Sequence, residues 1–560
     1  MTRRLGALVV TLALLGIACQ GEKSAAPGGG ERWFEDVAAE SGLDFVHDPG
    51  QDLQFWFPEI MGGGAALLDH DDDGDLDLYL VQGGELAGAR NDSLPGNRLY
   101  RNDGTGRFED VTEQAGVGDR GYGMGATCAD HDADGDVDLY VTNVGANTLY
   151  RNQGDGRFAD VTARARVGDP SWSSSAAFLD HDRDGDLDLF VVNYVQWAIG
   201  LDSPWLDAQG NQTYCSPKNY APARDRLYRN DGDGTFTDVS EAAGIWAEYG
   251  NGLGIAVGDL DDDGNVDVYV ANDGTANQLW RNQGGGRFRN EAMLSGTAVN
   301  ADGRQEAGMG VLCFDVENDG DLDLFMTHLR AETNTLYVNR SGHFTDATAG
   351  SGLATESFPF TGFGTGHADF DHDGHGDLFI VNGRVTSSGT SADESAGYAE
   401  PNLLFPGRGN GRFATPSTLD ESGSALAGVS RAAAFGDVDG DGDTDVVVVE
   451  LGERVRLLRN EVGSERGSWL LLRCLDEGRD ALGATVRVAT GERVQHRTVQ
   501  VAYSYLASND PRVHFGLADV TDVASVQVRW ADGSREDFGP LEVSTEHVLR
   551  RGEGRNASGM

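Results

Sequence analysis

Short apolar runs of four residues recur along the chain, each following an acidic stretch: LYLV (78–81), LYVT (139–142), LFVV (189–192), VYVA (268–271), LFMT (324–327), LFIV (378–381) and VVVV (446–449). Runs this short, lacking the three-to-four spacing of an amphipathic helix, predict strands. Seven and five residues before each acidic stretch stand small residues: Gly62 and Gly64, Gly123 and Gly125, Ser173 and Ser175, Gly252 and Gly254, Gly308 and Gly310, Gly362 and Gly364, Ser430 and Ala432. Strands this small suit close approach around a crowded axis. After each apolar run comes N-x-L-Y-R-N or a relative (NRLYRN, NTLYRN, NQLWRN), then G-x-F-x-D-V-T or a relative (GRFEDVT, GTFTDVS). Four short strands per unit predict a propeller blade. The seventh unit stops at VRLLRNE, and a spare RWFEDVA stands at 32–38, placed to complete the last blade. The expected architecture is all-β: a seven-bladed propeller over 32–460, its ring sealed by that N-terminal strand. Beyond it, TVRVA, TVQVAY and SVQVRW alternate with period two, which predicts a small β-sandwich-like domain over 461–551. Residues 552–560 read as a disordered tail.

The acidic stretches share one pattern, acid-x-acid-x-Asp-Gly-x-x-Asp, beginning at Asp69, Asp130, Asp180, Asp259, Asp315, Asp369 and Asp437. So many like charges repel unless a cation gathers them. Oxygens at positions 1, 3 and 5, a backbone carbonyl at 7 and an acid at 9 form a Ca2+ shell, and Gly at 6 permits the turn. The expected ligands are Asp69, Asp71, Asp73 and Asp77; Asp130, Asp132, Asp134 and Asp138; Asp180, Asp182, Asp184 and Asp188; Asp259, Asp261, Asp263 and Asp267; Asp315, Glu317, Asp319 and Asp323; Asp369, Asp371, Asp373 and Asp377; and Asp437, Asp439, Asp441 and Asp445. About seven calcium ions, mainly structural, follow. Side chains at position 7, such as Asp75 and Asp443, are not expected to ligate. An EF-hand is excluded, because position 12 is apolar (Leu80, Val141, Val191, Val270) and a strand rather than a helix follows.

These units resemble the FG-GAP/VCBS repeats of integrin α-chain propellers and bacterial surface proteins. The tail resembles the ASPIC/UnbV domain through ALGATVRV (481–488), SYLASNDPRVHFGLAD (504–519) and VQVRWADGS (526–534), with Ala502 and Ala518 departing slightly from its usual pattern. Together the resemblances imply the cartilage acidic protein type of architecture; they are specific for fold and weak for activity.

A formal charge of -48 argues against nucleic acid and anionic membrane surfaces as partners and favours cations. The N-terminus, MTRRLGALVVTLALLGIAC, reads as an export signal over 1–18. Its end resembles a lipobox, which makes Cys19 the acylated first residue of the mature chain, on a flexible tether over 19–31; plain secretion is the alternative. An outer-membrane or cell-surface lipoprotein is expected, with a periplasmic or secreted protein second. Cys128 and Cys313 fall at core positions and are expected as buried thiols; nothing in the sequence pairs Cys215 with Cys474.

Aromatics cluster in segments leading to the innermost strands and in a long insertion at 195–224. Trp56, Tyr122, Trp172, Trp205, Trp246, Tyr249 and Phe360 are the candidate ligand-rim residues, suited to stacking on sugars or other flat faces, with packing between blades as the bland alternative. His70, His131 and His181 at position 2 of three loops, and His367, His372 and His375 around the sixth, raise the idea of a copper or iron centre. Position 2 is expected to point away from the cation, which favours structural histidines. No G-x-S-x-G, H-E-x-x-H or Walker loop is present. The expected function is a calcium-binding module or adhesin with a protein or glycan ligand. An enzyme using the channel mouth, on a glycan or secondary metabolite or with a redox metal, is the alternative, and a purely structural surface protein the third.

Overall fold

The computed structural model describes residues 33–557 apart from 52–53, 87–94, 203–204, 207–209, 211, 388–396, 417–425 and 492. The expected signal, Cys19 and the tether lie outside the described residues. Seven antiparallel sheets follow one another along the chain. Their innermost strands are Ala65–Leu68, Tyr122–Ala129, Ser173–Leu179, Gly252–Gly258, Gly308–Phe314, Gly362–Ala368 and Ser430–Gly436. Each neighbours the next, and the seventh returns to the first, closing a ring. The outermost strand of the seventh sheet is Phe34–Asp36, antiparallel to Arg456–Asn460 with Phe34 opposite Asn460. Apolar side chains between adjacent sheets form the core, each sheet's second strand being buried throughout apart from Val144. Among the described residues no helix is long and apolar enough to cross a membrane.

The sixth sheet departs from the four-strand expectation. It has three strands, Gly362–Ala368, Asp377–Asn382 and Leu403–Phe405, and its fourth is reduced to a bridge between Gly407 and Phe413. Pro406 stands where other units carry Arg or Val. It accepts a bond from the Ala414 N–H, but without an N–H of its own it cannot return one.

Two sheets make up the tail. One pairs Ser468–Asp476 with Val513–Ala518 and Thr545–Arg550; the other runs Arg493–Thr498, Thr485–Thr490, Ser525–Arg529, Arg535–Gly539 and Arg555–Asn556. Leu470, Val486, Phe515, Val528 and Trp530 fill the space between them. The expectation of a disordered end at 552–560 fails for 552–557, because Arg555–Asn556 pairs with Arg535–Gly539.

The tail is also not separate from the ring. Its segment 499–510 enters the axis: Ala507–Ser508 pairs in parallel with Ala65 and Ala66, the Ser504 N–H and carbonyl exchange bonds with Val311, and the Tyr505 hydroxyl donates to the Met61 carbonyl. The small residues of the inner strands make room for this segment as well as for each other. A Cβ on Gly64 would lie 2.7 Å from the Leu506 oxygen and 2.6 Å from the Gly125 Cα.

The Asn that ends N-x-L-Y-R-N ties blades together. Asn102, Asn152, Asn230, Asn282, Asn339 and Asn460 each donate from Nδ2 to a carbonyl in the preceding sheet's acidic loop: Val438, His70, His131, His181, Leu260 and Phe370 in turn. Five of them also donate to a carbonyl of their own loop. Gly407 holds the corresponding place in the sixth sheet and cannot make this clasp. Replacing Asn282 by Ala strips two buried carbonyls of their donor, so N282A is expected to lose about 1–3 kcal/mol of stability in urea unfolding; an unchanged midpoint would refute the clasp.

Candidate cation-binding loops

All seven acidic loops adopt one geometry. Position 1 accepts the N–H of the position 6 glycine, at 2.8–3.2 Å. Position 5 accepts the N–H of position 7. Gly74, Gly135 and Gly185 have φ of 94–99°, and a Cβ there would touch nothing, so the backbone angle rather than space demands glycine. Position 4 is left-handed too, at Asp72, Ala133, Arg183, Asp262, Asn318, His372 and Gly440.

Position 9 is the latch. Asp77, Asp138, Asp188, Asp267, Asp323, Asp377 and Asp445 are at most 2% exposed. Each takes the position 2 N–H on Oδ2. Each takes on Oδ1 the N–H that follows its sheet's third strand or ends it: Asn102, Asn152, Asn230, Asn282, Asn339, Gly407 and Asn460. In the first three loops the imidazole at position 2 adds its Nδ1 to Oδ2 of Asp77, Asp138 and Asp188. Burial alone lowers the pKa of these histidines, but the hydrogen bond and charge of the aspartate outweigh it, and His70, His131 and His181 end above the usual value. The histidines expected as structural are buried, each ring bonded to the latch carboxylate. In the fourth loop Arg281, 3% exposed, takes the place of the imidazole, 2.7 Å from Asp267 and 3.3 Å from Asp261.

Positions 1, 3 and 5 converge. Ligand oxygens of Asp69, Asp71 and Asp73 lie within 4.8 Å of one another, as do those of Asp180, Asp182 and Asp184, while Asp130 and Asp132 gather with Asp138. Several oxygens are buried without a hydrogen-bond partner: Oδ1 of Asp69, Asp71, Asp132, Asp182, Asp259, Asp261 and Asp439. Burial pushes Asp69, Asp130 and Asp315 up to about 6 and Asp437 to about 7. Orphaned, crowded, all-oxygen donors fit a hard divalent cation.

Arginines address these loops from outside. Arg473 lies 3.6 Å from Asp69, Arg529 3.2 Å from Asp259 and Arg466 2.8 Å from Asp371, while Arg340 bridges Glu317 and Asp319. Nothing in the sequence places the tail's Arg473 and Arg529 on this face.

The opposite end of the ring carries the aromatics, and most are packed. Trp172 is 3% exposed and meets Phe57, Tyr194 and Trp197 edge-on; Tyr122 is buried and donates to the Pro49 carbonyl. Trp56 is half-buried beside Trp197, Trp246 is half-buried under Arg224 and Arg226, and Phe360 packs on the core between the fifth and sixth sheets. Trp205 (47%) and Tyr249 (50%) remain exposed. The insertion folds down over 55–60: the Tyr214 hydroxyl donates to Glu59, and Asp202 receives the Trp197 indole, the Tyr220 hydroxyl and the Phe57 N–H. The open aromatic rim expected from sequence is thus a packed cap. The tail segment fills the axis from the loop side. Cys128, Cys215, Cys313 and Cys474 are buried, and none is in a disulfide. His367 lies tilted against Phe314 with ring centroids 4.3 Å apart, and a Cβ on Gly409 would lie 2.9 Å from the His375 ring.

Cutting one partner from a buried ion pair strands the other charge. Arg281→Leu is expected to cost about 3–5 kcal/mol, against about 1.5–3 kcal/mol for His131→Phe, which keeps the stack on Phe236 but loses the charged hydrogen bond. Guanidinium unfolding in calcium measures both; equal costs would contradict the latch as drawn.

FG-GAP-like repeats match residues 69–141, 130–191, 214–270, 259–326, 315–380 and 369–448, and the ASPIC and UnbV family matches 475–556. Cartilage acidic protein 1 of Mus musculus is 28% identical over 311 residues, covering 53% of this chain and 44% of that protein. The Homo sapiens protein is 26% identical over 307 residues, covering 53% and 43%. The matches therefore span less than half the length of these relatives. A solved Agrocybe aegerita lectin that recognises terminal N-acetylglucosamine is 15% identical, with a TM-score of 0.38 over 70% of this chain and 86% of its own. The chain belongs to the FG-GAP-like repeat family and carries the ASPIC/UnbV domain at its C-terminal end.

Proposed function

We propose that this chain is an exported, lipid-anchored β-propeller that binds about seven calcium ions and serves as a binding or adhesion module. The observation that carries the reading is the convergence of carboxylates in the first three loops, with buried, unpartnered carboxylate oxygens in the first four and the seventh. The calcium is mainly structural, holding each loop in the shape that the latch and the blade-to-blade clasp require. A basic, apolar N-terminus ending in Cys19 supports export and anchoring. The module's ligand is a protein or a glycan. It is met on the outer surface, since the axis is filled by 499–510 and the far end is capped by 195–224.

Loops of this kind outside the cell bind calcium with Kd of about 0.1–1 mM, so each contributes about 1.4–2.7 kcal/mol at 10 mM calcium. EDTA is expected to lower the melting temperature sharply, and elemental analysis of the calcium-equilibrated protein to give about seven ions. A melting curve indifferent to EDTA would overturn the reading.

The pH dependence has a definite sign. Asp69, Asp130, Asp315 and Asp437 titrate at about 6–7 in the ion-free fold, against roughly 3.9 unfolded. Their protonated forms favour the ion-free fold below about pH 4, and that support is lost as pH rises through 6–7. Calcium needs the charged forms, so the melting-temperature gap between calcium and EDTA samples should be wider at pH 7.5 than at pH 5.5. A gap that narrows instead would place the ions on other groups.

A further inference from the structure

His372 stands fourth in the sixth acidic loop, and His514 lies in the tail strand Val513–Ala518. The fold brings their rings together, with centroids 4.9 Å apart and planes inclined by 31°. All four ring nitrogens are buried, and none makes a hydrogen bond of ordinary geometry. Asp443, 2% exposed and seventh in the seventh loop, places Oδ1 3.5 Å from His372 Nε2. Three groups from three separate segments thus meet where the sixth loop, the seventh loop and the tail join.

Glycines make that junction possible. A Cβ on Gly467 would lie 2.5 Å from the His372 oxygen, and one on Gly516 would lie 2.9 Å from the His372 Cα. The carbonyls of Gly467 and Gly442 stand beside His372 and His514, close enough to favour a ring N–H. A neutral imidazole with one nitrogen turned to a backbone carbonyl has the other nitrogen's lone pair to give, which is how histidine ligates metals.

The spacing suits one ion. With metal–nitrogen bonds of 2.0–2.1 Å, each ring centroid sits about 3.2 Å from the metal, so two imidazoles at 90–110° have centroids roughly 4.5–5.2 Å apart. Two nitrogens and one carboxylate oxygen are borderline donors that select a first-row transition metal over calcium.

We propose that His372, His514 and Asp443 form a zinc-class transition-metal site that staples the tail domain to the propeller. Asp443 contributes its side chain at position 7, where the calcium shell draws on the backbone carbonyl, and neither histidine side chain belongs to that shell. The site therefore stands independently of the proposed function.

The test uses the full mature chain, dialysed against micromolar ZnCl2 in millimolar CaCl2, with both metals counted in the same sample. The expected result is one zinc per chain, together with tetrahedral d–d absorption when Co2+ replaces it. His514→Phe keeps an aromatic ring against His372, and Asp443→Asn keeps the shape of the carboxylate; each should weaken zinc at least ten-fold while leaving the calcium count unchanged. If either variant misfolds, which a lost calcium count would reveal, the other still decides. A wild-type chain that retains calcium without stoichiometric zinc overturns this inference alone. So does a folded variant that holds zinc as tightly as wild type.

Discussion

The buried aspartate at the ninth position of each acidic loop is the contact on which the rest depends. Its two oxygens accept backbone N–H groups from the loop's own second residue and from the end of the sheet's third strand, so a single charge fixes both the turn and the pairing beyond it. A carboxylate this deep tolerates burial only because each oxygen is hydrogen-bonded. With the turn fixed, the carboxylates at positions 1, 3 and 5 have nowhere to go but toward each other. On the proposed reading, the cost of gathering them would fall to a cation. In six of the seven sheets the Asn clasp then uses the carbonyl of that same second residue in the preceding loop, so loop shape, strand pairing and contact between blades are one linked problem.

What was legible in the sequence was local. Acid spacing, the Gly at position 6, the apolar run after each loop and the spare RWFEDVA all act within a few residues or repeat in phase, and each appears in the fold where the pattern places it. The role of Asn in N-x-L-Y-R-N was not legible, because its partner sits in the preceding sheet. Position 4 hid its left-handed backbone behind Asp, Ala, Arg, Asp, Asn, His and Gly, which share no signal. Trp172 and Tyr122 read as rim residues because burial depends on an insertion folding back over them. His514 gave no hint of His372, since only the docking of the tail brings them together.

SYLAS was legible as part of the tail's own domain, and its position is the largest departure from that reading. Ser504 to Ser508 bond to inner strands of the first, second, fifth, sixth and seventh sheets. The glycines at 64 and 125 are therefore sized for two neighbours, an adjacent blade and Leu506. A propeller usually has to fill its axis with water or side chains of its own strands; here a second domain does so. That makes ring and tail one folding unit, and it moves recognition away from the channel to outer surfaces such as the insertion, where Leu201, Trp205 and Leu206 stay in solvent.

The same docking answers the chain's charge. A net -48 concentrated in loops on one face opposes compaction. The tail sets Arg473, Arg479, Arg493, Arg512 and Arg529 against that face, touching carboxylates or loop carbonyls of the first, third, fourth, sixth and seventh loops. A guanidinium approaches a loop from its outer side, whereas the proposed ion would be held within by the convergent oxygens. The two do not compete, because a carboxylate has lone pairs enough for both. Each would lower the cost of the other: the Arg473 guanidinium beside Asp69 favours the charged form that an ion would need, and an ion would fix the loop whose carbonyl an arginine seeks. On the proposed reading, cation loading and tail docking are linked by the same carboxylates, and the tail is part of what would keep those carboxylates ready.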